Sequence, residues 1–172
     1  NSSYYNRNVY LSRLDLRKRL IIPSPYFLNR GFSAEILHKY DVGECLTKGK
    51  FLYNRAICPV YDIKGTYQGS TGRIINDELI SSTCSKWLID SDLARNKKNA
   101  LYNINFAAPH IARMKEVVII ESAGNCWRLV ESGFENCVAL LGSEIFDPQL
   151  EQIIRLGPNK LRLVFDKDEA GK

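Results

Sequence analysis

The 172 residues are 45% hydrophobic and carry 24 Lys and Arg against 19 Asp and Glu, for a net charge of +5. That is enough apolar material for one core or two small ones, and no apolar run approaches the roughly 20 residues that a membrane-spanning helix needs. Five cysteines, at 45, 58, 84, 126 and 137, form no Cys-x-x-Cys pair and are odd in number, which speaks against a zinc ribbon or a disulfide framework and for buried free thiols, Cys58, Cys126 and Cys137 above all.

The charge is unevenly spread. Residues 1–115 hold 18 Lys and Arg against 9 Asp and Glu, whereas residues 116–172 hold 6 against 10. A basic region joined to an acidic one suits a polyanion-binding surface beside a cation-binding one, although a basic half can also be a solubilising surface. Residues 1–20 contain Arg7, Arg13, Arg17, Lys18 and Arg19 against Asp15 alone and read as an arm that touches nucleic acid or as a frayed lead-in. Ser24-Pro25 opens a short helix closed by Gly31, and Ser33 caps a second through Ile36, Leu37 and Tyr40. His38, on this second helix, and His110 lie far apart in sequence and read as structural or surface residues. Asn54–Tyr61 and Thr66–Ile75 flank the turn signal Asp62-Ile-Lys-Gly65 and predict a β-hairpin, with Pro59 marking its first strand as an edge.

From Glu116 the pattern changes. Glu-Val-Val-Ile-Ile-Glu at 116–121 is an unbroken apolar run of strand length, of the kind covered on both faces in a parallel sheet. Gly124–Ser132 reads as a helix stopped by Gly133, and Asn136–Leu141 as a second apolar strand. Asp147 as cap and Pro148 at the first position open a helix that ends at Gly157. Leu163-Val-Phe165 closes a third strand that runs into Asp166 and Asp168. The segment is therefore β-α-β-α-β, one parallel sheet, whose ligands gather at the carboxyl ends of the strands. Glu121, Asp166 and Asp168 all leave such ends, and Asp166 and Asp168, two residues apart, project to one side. Three carboxylates together need a cation or basic side chains between them, and an all-oxygen set suits Mg²⁺ or Mn²⁺. Acids that merely begin solvated loops give the same pattern.

Val118-Ile-Ile-Glu-Ser-Ala-Gly through Ala139-Leu-Leu-Gly-Ser143, followed by Phe165-Asp-Lys-Asp-Glu-Ala-Gly171, resembles the Toprim domain, the fold shared by bacterial-type DNA primases, topoisomerases and some nucleases. Glu121 matches its glutamate motif and Asp166 with Asp168 its Asp-x-Asp motif, while Asn125 stands where the family has a carboxylate. The trailing Glu-Ala-Gly is similar to the primase branch. So are Tyr26-Phe-Leu-Asn-Arg-Gly-Phe-Ser33, the Pro59-to-Asp77 hairpin with Gly72-Arg73, Ser85-Lys-Trp-Leu88 in place of Pro-Lys-Tyr-Leu, and Lys97 before Leu101-Tyr102. The resemblance runs from about Pro25 to Lys172.

It implies an α/β fold, with a mixed α+β basic N-terminal subdomain (1–115) followed by a Toprim-type β-α-β-α-β parallel sheet (116–172). It also implies a bacterial or phage enzyme of the cytoplasm that makes RNA primers from NTPs on single-stranded DNA. Glu121, Asp166 and Asp168 would hold Mg²⁺ or Mn²⁺, and Arg73, Lys86 and Lys97 would meet template or triphosphate. Trp87 and Tyr102, beside those lysines, read either as base-stacking platforms or as core. A Toprim nuclease and a catalytically weak nucleic-acid-binding module remain alternatives. The chain opens at Asn1 rather than Met and closes directly after the Asp-x-Asp pair, as a piece of a longer protein would; a replicative helicase would be engaged through other regions.

Overall fold

The computed structural model describes residues 11–165. Arg7, Asp166 and Asp168 therefore lie outside the described residues. The first three helices are short and start at serines; the second and third are the two expected, and the first forms within the stretch read as an arm or a frayed lead-in. They are α1 (Arg13–Arg17), α2 (Pro25–Leu28) and α3 (Ala34–Lys39), and the hydroxyls of Ser12, Ser24 and Ser33 accept the amides of Asp15, Phe27 and Ile36. Within the basic lead-in, Arg13 and Arg17 both pair with Asp41, whose carboxylate is fully buried and also accepts the Tyr61 hydroxyl at 2.8 Å. Those two cations are held against the fold by a buried carboxylate rather than presented as an arm.

An antiparallel sheet follows, in the order β1 (Gly43–Cys45), β2 (Arg55–Tyr61), β3 (Tyr67–Ile74) and β4 (Trp87–Ile89). The predicted hairpin is β2–β3. Its turn is held by Asp62, whose carboxylate accepts the amides of Lys64 and Thr66 at 2.9 Å, with Gly65 at φ +80°. Pro59 does not mark an edge: β2 is paired on both sides. β1 reaches only as far as Ile57, so the missing amide of Pro59 falls beyond it, opposite Ser70 of β3 alone.

Two further helices lead to the second sheet. Helix α4 (Ser91–Asn96) is capped by Asp90, which accepts Leu93 N through one oxygen and, through the other, Ser70 N and the Tyr67 hydroxyl. Helix α5 (Ile104–Met114) starts at Asn103, whose side chain gives α5 no cap; it accepts Tyr40 Oη and donates to Cys137 O at 2.7 Å. The second sheet is parallel, in the order β6-β5-β7, with β5 (Glu116–Ile120), β6 (Cys137–Ala139) and β7 (Lys160–Val164) joined by α6 (Ala123–Glu131) and α7 (Asp147–Arg155). This is the expected β-α-β-α-β unit. At α7 the cap position falls to Phe146, one residue before Asp147, and the Phe146 amide donates to Gln149 Oε1 at 2.9 Å.

The sheet is not covered evenly. Val117, Val118, Ile119 and Ile120 of β5 are at most 7% exposed. Every residue of β7, in contrast, is exposed, with Leu161 at 45% and Leu163 at 62%, contrary to the expectation of a strand covered on both faces. Among the described residues β7 pairs with β5 alone and forms the edge. The main core cluster joins both halves of the sequence: Phe27, Leu37, Tyr40 and Val60 pack with Val118, Ile120, Trp127 and Ala139. Among the described residues no helix is long and apolar enough to cross a membrane.

At Gly69 the hairpin backbone comes close to α4. This glycine has φ +124°, and a Cβ there would lie 2.1 Å from Leu93 N and 2.6 Å from Asp90 Oδ1. Gly69→Ala is expected to destabilise the chain by about 3 kcal/mol, the cost of overpacking against backbone, measured by urea unfolding followed by circular dichroism.

Candidate nucleic-acid and metal site

β5 ends at Ile120, which is in register with Val164 of β7, so the residues that follow on both strands emerge at one end of the parallel sheet. On β5 the next residue is Glu121, half-buried, followed by Ser122, whose hydroxyl caps α6 by accepting Asn125 N. This brings a carboxylate to the start of a helix at the carboxyl end of the middle strand. Across from it lies β4. A cavity of about 520 Å³ is bounded on one side by Glu121, Ser122, Leu141 and Gly142, and on the other by Thr71, Trp87 and Ile89.

Glu121 brings to this sheet end an oxygen donor of the kind that a hard divalent cation takes. Among the described residues no three His, Cys, Asp or Glu side chains gather closely enough to hold an ion. Glu121 is the member of the expected set that falls within them, and Asp166 and Asp168 follow Val164, which pairs with the residue before Glu121.

The three expected basic residues are placed differently from one another. Arg73, opposite Trp87 in the β3–β4 pairing, is 3% exposed; it donates to Ile74 O at 2.7 Å, pairs with Asp77 and lies over the Tyr26 ring at 5.5 Å. Lys86, next to Trp87, and Lys97, just past α4, are both exposed. None of the three lines the cavity. The two expected aromatics also part company. Trp87 is 44% exposed and borders the cavity, whereas Tyr102 is 1% exposed, stacked on Tyr40, and accepts Trp127 Nε1–H at 2.7 Å. Burial raises the Tyr102 pKa well above that of an ordinary tyrosine, so its hydroxyl stays protonated and belongs to the core.

Arg55, at the start of β2, was not singled out by any sequence pattern. Its guanidinium is buried beneath β3 and the loop before β4, donating to Gly72 O at 3.1 Å, Ser85 O at 2.9 Å and Lys86 O at 3.3 Å. Burial lowers its pKa, and neighbouring Arg73 lowers it further. The signal that could have found it is an arginine opening an otherwise apolar strand. His38 is exposed, and His110 makes a surface pair with Glu135 at 3.3 Å. The cysteines are free thiols; Cys45, Cys58, Cys126 and Cys137 are buried, and burial raises the Cys58 thiol well above its ordinary pKa.

No protein-family model matches the sequence. Among curated proteins, the chain is 28% identical to the DNA primase of Chlamydia pneumoniae over 85% of its own length and 29% of that protein. It is 31% identical to the DNA primase of Campylobacter jejuni over 68% and 19%, and 30% identical to that of Clostridium acetobutylicum over 86% and 24%. The chain thus spans under a third of the length of these relatives. Among solved structures, the RNA polymerase domain of the Mycobacterium tuberculosis primase DnaG superposes with a TM-score of 0.73 at 20% identity, covering 93% of this chain and 62% of that one. A DnaG catalytic domain bound to single-stranded DNA gives 0.69 at 19%, covering 93% and 57%. These likenesses establish the fold.

The contrast between the two tryptophans is measurable, since Trp127 is fully buried and Trp87 is 44% exposed. Acrylamide is expected to quench one component of the tryptophan emission and spare the other, and Trp87→Phe to remove the quenchable component.

Proposed function

We propose, from the premise that the chain is a divergent relative of the catalytic core of bacterial DNA primases, that it is the polymerising core of an enzyme that makes RNA primers from NTPs on single-stranded DNA. The observation that carries this reading is the position of Glu121. It stands at the carboxyl end of the middle parallel strand, at a helix start, and faces a cavity whose far wall is the exposed ring of Trp87. In this reading residues 1–115 form the basic subdomain and residues 116–172 the Toprim-type sheet, and Glu121, Asp166 and Asp168 hold Mg²⁺ or Mn²⁺. When bound, the cation supplies charge neutralisation at the triphosphate, favouring attack of a 3′-hydroxyl on the α-phosphate and release of pyrophosphate.

The chain's own side chains bind and orient. Lys86 and Lys97, exposed and flexible, act as point charges for phosphates. Arg73 keeps its bond to Ile74 O and meets a phosphate through the one nitrogen that pairs with Asp77, whose side chain is 60% exposed and easily released to water. Trp87 gives a base a sequence-tolerant stacking surface. The protein works in the bacterial cytoplasm, with a replicative helicase as the partner that delivers template.

The test uses the encoded protein containing this sequence, a single-stranded template, NTPs and Mn²⁺. Template-dependent primer synthesis is expected, and Glu121→Gln is expected to lower its rate about 100-fold or more, the weight of one metal-holding carboxylate. Template degradation in the absence of NTPs would assign a nuclease instead, and salt-sensitive DNA binding without metal-dependent chemistry a binding module.

A further inference from the structure

Arg55 has a feature that packing alone does not call for. Its residue is 3% exposed, yet among the described residues its guanidinium makes no ion pair; it is met by the carbonyls of Gly72, Ser85 and Lys86 and by Cys84 Sγ at 3.8 Å. Burying a cation without a counter-ion costs several kcal/mol, and an apolar side chain of like volume would fill the space without that cost. The fork does what no apolar side chain can: it ties two consecutive carbonyls, those of Ser85 and Lys86, to the floor of the sheet. The Lys86 carbonyl is fixed a second time by Ile74 N at 3.0 Å.

The sheet is also cut to fit this arginine. A Cβ at Gly72 would come within 3.2 Å of Arg55 Cδ and, equally, of Leu52 and Ile57, so the bare backbone of Gly72 is the passage through which the Arg55 stem runs. The segment so pinned is the one that leads into Trp87 and the wall of the cavity.

We propose that Arg55 is a positioning residue for Lys86 and Trp87: by clamping the carbonyls of Ser85 and Lys86 it presents the Lys86 ammonium to the phosphates of single-stranded nucleic acid without touching the strand itself. The inference rests on the role given to Lys86 above. A lysine at position 55 keeps the charge but lacks the planar fork, so it cannot hold both carbonyls.

The experiment measures binding of an oligothymidylate to the chain across a range of salt concentrations, for the unaltered protein, Arg55→Lys, Lys86→Ala and the double variant, with thermal unfolding of each. Lys86→Ala removes one phosphate contact and is expected to reduce the slope of log K against log salt by about 0.7. Arg55→Lys is expected to reduce it by a similar amount, and the double variant to bind no more weakly than Lys86→Ala alone, because the two act through one contact. A merely structural role lowers the unfolding midpoint and leaves the slope untouched. The proposal is overturned if Arg55→Lys retains the full slope while Lys86→Ala loses part of it, or if the two losses add. If Lys86→Ala keeps the full slope, the role of Lys86 itself fails and Arg55 falls with it. Should Arg55→Lys not fold, Gly72→Ala displaces the same stem by a few tenths of an ångström and is held to the same comparison.

Discussion

Burial of β5 on both faces is the constraint on which the rest of the structure depends. Val118 and Ile120 belong to the core that contains Trp127 and the N-terminal helices, while Val117 and Ile119 belong to a second core with Ile104, Ile111 and Ile153. At about 1.5–3 kcal/mol for each buried aliphatic side chain, this one strand contributes roughly as much as the net stability of an ordinary domain. Its register with β6 and β7 is therefore closely fixed, since a slip of one residue would exchange the two cores. Glu121 inherits that precision. A carboxylate that must share a cation with groups from another strand needs a rigid origin, and the four preceding residues give it one.

The basic half of the sequence carries fewer available cations than its composition suggests. Arg13 and Arg17 are held by Asp41, Arg55 by carbonyls, and Arg73 by Asp77 and the Tyr26 ring. Lys86 and Lys97 are left exposed. Arginine suits the positions held by the fold, buried at Arg55 and Arg73 and partly open at Arg13 and Arg17, because its planar fork can satisfy several acceptors at once, and lysine suits the exposed ones because its single charge adapts to a mobile polyanion. Net charge thus predicts the sign of the partner but not which residues meet it.

Local chemistry with short reach was legible in the sequence. The serine caps, the Asp62–Gly65 turn and the alternation of strand and helix after Glu116 are decided by neighbouring residues, and each was found in place. What could not be read depends on distant partners. Asn103 turns its side chain into the core to bridge Tyr40 and Cys137, so the start of α5 lacks the usual capping signal. Pro59 lies in an interior strand because the neighbouring strand is short, and Tyr102 is core because Trp127 and Tyr40 close over it. At the site, Glu121 and Trp87 were each visible as residue types. Their meeting across one cavity, and the fork of Arg55 on the segment that leads into Trp87, exist only in three dimensions.

Helix α6 begins two residues after Glu121, and Arg128, in its later half, grips the turn between α2 and α3. The Arg128 guanidinium donates to the carbonyls of Gly31 at 2.8 Å and Arg30 at 3.0 Å and lies 4.0 Å from the centre of the Phe32 ring, while Glu131 accepts Ser33 N at 3.0 Å. The carboxylate and this turn are thus opposite ends of a single rod of nine residues, about 13 Å long at 1.5 Å per residue. Length changes should be tolerated unequally as a result. An extra residue at Gly49, where an added Cβ would meet nothing within 4 Å, should disturb little else, whereas one inserted between Leu28 and Ser33 would pull on α6 and be felt at its Glu121 end.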